Sequence, residues 1–220
     1  MVEQSGVVEP PARPRRQRSP KGQGDRLREE ILQATERLLE RLGNEAALSL
    51  RAIAREVGIA APSIYLHFAD RTELVWAALA VKYAHVAESL GRADTAAGAD
   101  PLTRLRAQAH AYCQFGMDFP NHYRLMYGTT LDPVAPERLR EHPARLVLRP
   151  LGDALRRCDR GGARLRIPAD RAVVVLWSGL HGIISLWRTM PDPRQAGRVF
   201  ALADDLIVLL LRLPMNPSGD

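Results

Sequence analysis

The sequence predicts an all-α fold. Apolar residues recur at three- and four-residue spacing along most of the chain, no segment alternates with period two over a useful length, and proline and glycine mark most of the breaks between periodic stretches. There is no internal repeat. About nine helices follow from this pattern, grouped as a small N-terminal three-helix unit and a larger helical domain.

Residues 1–24 are rich in Pro, Gly, Gln and Arg and lack periodic hydrophobics, so they are expected to be a disordered arm. Arg13, Arg15, Arg16, Arg18 and Lys21 make the arm basic, which suits a nucleic-acid groove and a solvated tail equally well. In the first helix Leu27, Ile31, Ala34, Leu38 and Leu42 form one apolar stripe, which Gly43-Asn44 ends. Ser49 is placed to cap a second helix whose Leu50, Ile53, Ala54 and Val57 turn inward. Gly58 makes a turn, and Pro62 suits the first position of a short third helix. Asp70-Arg71-Thr72-Glu73 reads as a capping box opening a fourth helix through about Leu90, followed by a polar connection from Gly91 to Asp100. Further helices are expected over 101–118, 120–128, 136–158, 168–190 and 194–212, punctuated by Pro120, Pro136, Pro168 and Pro191-Asp192-Pro193. Pro150 should kink the third of these. The expected divisions are the arm (1–24), the three-helix unit (25–70) and the larger domain (71–220).

A formal charge of +6 and a pI near 9.9 favour a polyanionic partner over an acidic substrate, although a basic balance also simply keeps a protein soluble. Lys21 and Lys82 are the only lysines. The arginine bias suits bidentate phosphate and guanine contacts, and it equally fits a GC-rich genome. Cys113 and Cys158 have no CxxC spacing and are expected to be reduced core thiols of a cytoplasmic protein. No apolar run follows the basic N-terminal residues, so no secretory signal is expected. The longest apolar run, Ala172 to Trp187, is interrupted by Ser178 and His181. It falls short of the ~20 residues that span a bilayer and is expected to be a buried helix, with no membrane partner.

Two helices joined by a glycine turn, the first capped by serine and the second short, make a helix-turn-helix. Small residues at the start of the second helix, Ala60, Ala61 and Ser63, let backbone approach the floor of a DNA major groove. Ile64 and Phe68 are expected to face the core, leaving Tyr65 and His67 outward to meet phosphate oxygens. Arg51 reaches phosphate or a guanine edge, and the N–H groups beginning the next helix, beside Arg71, offer another phosphate seat. As a catalytic pair Tyr65 and His67 lack a nearby acid or nucleophile, and as metal ligands they lack companions at suitable spacing. No enzyme, metal or cofactor is expected.

The run LSLRAIAREVGIAAPSIYLHFADRTEL (48–74) resembles the DNA-binding motif of the TetR family of bacterial transcriptional regulators. The resemblance covers roughly residues 25 to 75. It implies that Arg51, Ala61, Pro62, Ser63, Tyr65, His67 and Arg71 face DNA, with Arg51 and residues 61–63 near bases and Tyr65, His67 and Arg71 on the backbone. Two positions depart from the family pattern. Ala60 stands where many members carry a capping Ser or Thr, and Arg71 replaces the more usual lysine. Base reading then rests on thymine-methyl contact and Arg51, with DNA shape contributing.

The runs AYCQFGMDFPNHYRLMYG (111–128) and LWSGLHGIISLW (176–187) resemble the WHG type of TetR C-terminal domain, with Trp177, His181 and Gly182 as its Trp, His and Gly. Trp177 and His181 share one helix face, and Gly182 permits close helix approach. The resemblance implies an effector pocket, for which Tyr112, Phe115, Phe119, Tyr123, Met126, Trp177 and His181 are the candidates. The alternative is that these residues are ordinary core. Ile184, Trp187, Val199, Leu202, Leu206, Leu209 and Leu210 are candidates for a four-helix interface between two subunits. The expected protein is a homodimeric repressor that binds a pseudo-palindromic double-stranded DNA operator. A small, largely apolar effector would release it through the helix of residues 101–118. The other reading is an activator or nucleoid-type DNA-binding protein whose C-terminal half only dimerises or binds proteins, without a small ligand.

Overall fold

A computed structural model describes residues 23–42, 48–127, 135–189 and 196–212. Nearly all of these lie in helices: α1 (Gln23–Leu42), α2 (Leu50–Val57), a 3-10 helix (Ala61–Leu66), α3 (Arg71–Ala96), α4 (Pro101–Asp118), α5 (Pro120–Tyr127), a 3-10 turn (Arg138–Glu141), α6 (Arg145–Arg160), α7 (Ala169–Thr189) and α8 (Ala196–Leu210). The five basic residues of the N-terminal arm, Gly43-Asn44, Gly128 and Pro191–Pro193 lie outside the described residues. Gln23 and Gly24, assigned to the arm by composition, form the first residues of α1.

The N-terminal head buries Ile31, Ala34, Leu38 and Leu39 of α1 against Ile53 and Ala54 of α2, with Ile64 and Phe68 closing the cluster. The Arg28 guanidinium lies 4.8 Å over the Phe68 ring and covers its outer face. Leu42 departs from the expected stripe and is exposed at the helix end.

Helix α3 has 26 residues, about 39 Å of rise, and belongs to both halves of the molecule. Leu74, Val75 and Ala78 seal the head, whereas its later turns pack on α4 and α6. One buried apolar cluster runs from Ile31 to Leu211, so residue 70 marks the start of a helix within a continuous core. The helix continues past Leu90, where the sequence suggests an end. Asp94 in its final turns is gripped by Arg104 and Gln108 of α4 and by Arg157 of α6, with Gln108 at 2.6 Å. These long-range bonds outweigh the weak helix propensity of Gly91. Burial pushes the Asp94 carboxyl up, but those donors more than offset it and hold it below the usual carboxylate range. The connection to α4 shrinks to residues 97–100 and turns at Gly98, with φ of 80°.

The expected helix over 136–158 is broken. Pro143 disfavours the helical conformation for the residue before it, and His142 is extended, with φ −58° and ψ 130°. A 3-10 turn precedes this break and α6 follows it, continuing through Pro150. A two-residue antiparallel ladder, β1 (Arg164–Leu165) with β2 (Leu211–Arg212), joins the α6–α7 connection to the end of α8. It is too short to show a period-two pattern in sequence.

Helix α7, at 21 residues, is longer than its apolar run suggests and has the length and mean hydropathy of a membrane span, by length and composition only. It is buried along one stripe, through Ala172, Leu176, Leu180 and Ile184, against α4, α6 and α8. Val174, Val175 and Leu186 are exposed, so the expected buried helix is only half-buried. Two glycines allow its close packing. A Cβ at Gly116 of α4 would lie 2.6 Å from Ile184 Cγ2, and one at Gly179 would overlap Leu206 of α8. Gly182, expected to serve that purpose, has open space beside it within the subunit. Cys113 and Cys158 are buried free thiols, pushed up to about 12 and about 11 by burial.

Candidate functional site

The head presents its short 3-10 helix outward. Ser49 Oγ accepts from Ala52 N–H at 3.1 Å and starts α2. Gly58, left-handed at φ 76°, ends α2 by donating to Ala54 and Arg55 carbonyls. The chain then enters the 3-10 helix one residue earlier than Pro62 suggests, with Ala61 first and no side-chain cap from Ala60. Ser63 N–H donates to Ala60 O at 2.8 Å instead. Ile64 and Phe68 are each 1% exposed and pin this segment to the core. Pro62, Tyr65 and Leu66 therefore project outward, Arg51 is exposed on α2, and Ala61, Ser63 and His67 are half-buried beside them. Of the six predicted contact residues of this segment and α2, Arg51, Pro62 and Tyr65 are open to solvent, while Ala61 packs partly on the core. The structure adds Leu66, which at 71% exposure is the most open large apolar side chain of the head.

The start of α3 is less open than its sequence suggests. Asp70 Oδ1 accepts from Glu73 N–H at 2.8 Å, and Glu73 Oε2 accepts from Ala69 N–H at 2.7 Å, a capping box shifted one residue back. The expected phosphate seat is thus largely filled by the chain's own carboxylates. Arg71 Nε donates to Leu48 O at 3.2 Å and is half-buried, so this arginine also braces the head internally. Asp70 receives Arg138 Nη1 at 2.6 Å from the 3-10 turn 68 residues away. Hydrogen bonding from Arg138 and the Glu73 backbone holds the Asp70 carboxyl below its usual range. A second bridge lies behind α1. Lys82 of α3 is buried with its Nζ 3.3 Å from both Glu36 and Glu40, and His122 of α5 lies 3.8 Å from Glu40.

In the larger domain the predicted aromatics divide between core and cleft. Tyr112, Phe115 and Met126 are buried core residues, and Phe119 is exposed, stacked on His122 at 5.7 Å. Trp177 packs against the core, with Nε1 donating to Tyr127 OH at 3.4 Å. His181, with Tyr123 behind it at only 2% exposure, lines an open cleft of about 330 Å³ between α5 and α7. Its other walls are Tyr127, Arg124, Ser185, Arg188 and Thr189, none of which stood out in the sequence because long-range packing alone gathers them. The Tyr123 hydroxyl lies 2.7 Å from His181 Nδ1, and Ser185 Oγ lies 3.3 Å from Nε2. Burial raises the Tyr123 phenol, while burial and then Arg188 lower the His181 imidazole. The phenol is therefore the donor, His181 is neutral, and its Nε2–H points at Ser185. Tyr112 OH donates to Tyr127 OH at 3.0 Å, extending the chain of hydroxyls into the core.

Helices α7 and α8 also carry an apolar face with no cover among the described residues. Val175 and Leu186 of α7 and Leu202 and Leu209 of α8 are exposed. Val175 and Gly182, and Leu202 and Leu209, are each seven residues apart, the spacing of a helix–helix seam. Among the predicted interface residues, Ile184, Val199 and Leu210 instead turn into the subunit core. Leu206 fills the notch at Gly179, and Trp187 packs on the core. The period of α8 alone did not separate its two apolar sides. Among the described residues no group of three or more His, Cys, Asp or Glu is placed to hold a metal.

A helix-turn-helix head joined by a shared helix to an all-helical domain defines a DNA-binding transcriptional regulator. Residues 31–78 match the model described as bacterial regulatory proteins, tetR family, and residues 105–207 match the Tetracyclin repressor-like, C-terminal domain. The chain belongs to the TetR family. No curated protein matches its sequence. Among solved structures it is similar to a protein of unknown function from Rhodococcus sp. RHA1, at 27% identity and a TM-score of 0.66 over 89% of this chain and 100% of that one. A TetR family transcription regulator from Marinobacter aquaeolei VT8 has the same fold, at 18% identity and a TM-score of 0.59 over 86% and 97%. So does RolR, solved in complex with resorcinol, at 16% identity and a TM-score of 0.60 over 87% and 97%.

Proposed function

We propose that the chain is a cytoplasmic, homodimeric repressor whose operator affinity falls when a small molecule occupies the α5–α7 cleft. The observation that carries this reading is the uncovered Val175–Leu186–Leu202–Leu209 face, which a second copy would bury as a four-helix interface. Dimerisation would set two heads on successive major grooves, ~34 Å apart on a pseudo-palindrome. Arg51 and residues 61–63 then read bases, Tyr65 and His67 hold the backbone, and Arg71 supports them. RolR is solved with resorcinol, so this fold accommodates a small ring compound in that protein.

Coupling runs through two contacts. Helix α5 carries both cleft residues and His122, which meets Glu40 of α1. The turn preceding α6 carries Arg138, which meets Asp70. Ligand that favours the arrangement with wider-spaced heads lowers operator affinity by stabilising it. These direct links stand beside the expected route through residues 101–118, whose helix α4 packs along α3.

The test joins sedimentation velocity to a gel shift. Wild type is expected to sediment as a dimer and retard operator DNA. Leu202→Glu with Leu209→Glu is expected to sediment as a monomer and bind the same DNA at least about tenfold more weakly. A well-folded monomer with undiminished affinity contradicts the dimeric reading.

A further inference from the structure

The charge pattern of the cleft narrows its ligand, on the reading that this cleft is the effector site. Two guanidiniums, Arg124 and Arg188, stand on its walls, and among the described residues no carboxylate lines it. Neither arginine has a carboxylate partner among the described residues, whereas Arg104, Arg138 and Arg157 elsewhere in the molecule are each paired. Arg188 instead lies over the Tyr123 ring at 5.4 Å.

The remaining polar groups are donors facing an acceptor. Tyr123 OH is spent on His181 Nδ1, and His181 Nε2–H is directed at Ser185 Oγ, which leaves the serine hydroxyl proton for a ligand. The rings of Tyr123 and His181 are stacked within 16°, and Tyr127 lies 4.6 Å and 4.5 Å from them. Tyr123 is only 2% exposed, so the ring surface left to a ligand is that of the half-buried Tyr127 and His181. Bordered by guanidiniums and a hydroxyl donor, it suits a flat ring bearing an acceptor-only anion. The volume of about 330 Å³ gives room for one or two rings.

We propose that the effector is a compact aromatic carboxylate, its ring against Tyr127 and His181 and its carboxylate received by Arg124 and Arg188. This replaces the largely apolar effector expected from sequence. A cationic or long-chain apolar compound would leave both guanidiniums unpaired.

The test is calorimetric titration of the full chain with benzoate and 2-naphthoate, their uncharged amides, and inorganic phosphate. The same titrations use Arg188→Gln, Arg124→Gln and Tyr127→Ala, each checked for folding by circular dichroism. Expected is binding of at least one carboxylate about tenfold tighter than its amide, with that preference lost in Arg188→Gln and restored in part by Arg188→Lys. Carboxylate and amide binding alike, with both lost in Tyr127→Ala, would overturn the anionic class and leave the cleft as the effector site. Carboxylate binding that no cleft substitution alters would overturn the assignment of the cleft itself. Phosphate binding as tightly as the carboxylates, or no binding by any ring compound, would also overturn the proposal.

Discussion

Arg138 donates to Asp70 at 2.6 Å while Asp70 caps α3 through Glu73 N–H, so one carboxylate serves both the helix start and the contact between the larger domain and the head. Arg138 also lies 5.6 Å over the Trp76 ring, which fixes the turn on which it sits. Arg138→Gln is expected to blunt effector-induced release by about fivefold or more while operator affinity without effector stays within about threefold. Fluorescence-anisotropy titrations with and without effector measure both quantities, and an unchanged release curve rules out this link.

Operator binding should weaken steeply with salt. Each phosphate neutralised by the head releases counterions, so several contacts give a log–log slope of magnitude well above about 2. Anisotropy at several salt concentrations reads the slope. Tyr65→Phe should lower its magnitude little, because the phenol contributes a hydrogen bond without a charge, whereas Arg51→Ala should lower it by about 1 if that arginine meets phosphate. A slope near zero contradicts a phosphate-gripping head.

Gly116→Ala should destabilise the fold and disturb the cleft together. The added methyl would lie 2.6 Å from Ile184 and 3.1 Å from the Tyr123 ring, both tightly held. Overpacking of this kind costs about 1–3 kcal/mol. The urea midpoint should fall accordingly, and a midpoint equal to wild type means the helices part without strain.

Stability should decline as the pH falls from about 7 to about 5. Burial is the leading cause holding His122, His142 and His181 below the ordinary imidazole value, reinforced by Lys82 at the first and Arg188 at the third. Each is neutral in the fold and gains a proton on unfolding. Its contribution is therefore fully present above about 6.5 and lost as the pH drops toward its folded value. Asp70 and Asp94, also depressed, act at lower pH, below about 4. Melting followed by circular dichroism should show the decline, made shallower by His142→Gln. A melting temperature that holds or rises toward pH 5 contradicts it.

Local signals made the head legible. Ser49, Gly58 and the Asp70–Glu73 box each act within four residues, so sequence carries their geometry directly. The cleft was legible only through Tyr123 and His181. Tyr112, Phe115 and Met126 are similar residue types on α4 and α5 and are buried as deeply as Tyr123, and only the long-range contact of Tyr123 with His181 of α7 sets that ring beside the cleft. Arg124 and Arg188 read as surface charges, and nothing near Arg138 points to a partner 68 residues away. Helix α8 is apolar on both sides, so its period does not tell the core-facing side from the outer one; Ile207 is buried while Leu209, two residues on, is 70% exposed.

The most direct test is selection of genomic DNA fragments by the purified chain, followed by sequencing, with wild type and an Arg51→Ala/Tyr65→Phe double variant compared side by side. A DNA-gripping dimer predicts that wild type enriches a pseudo-palindrome with half-sites about one helical turn apart, and that the folded double variant loses it. No enriched sequence with wild type, or the same enrichment with the double variant, would contradict the account.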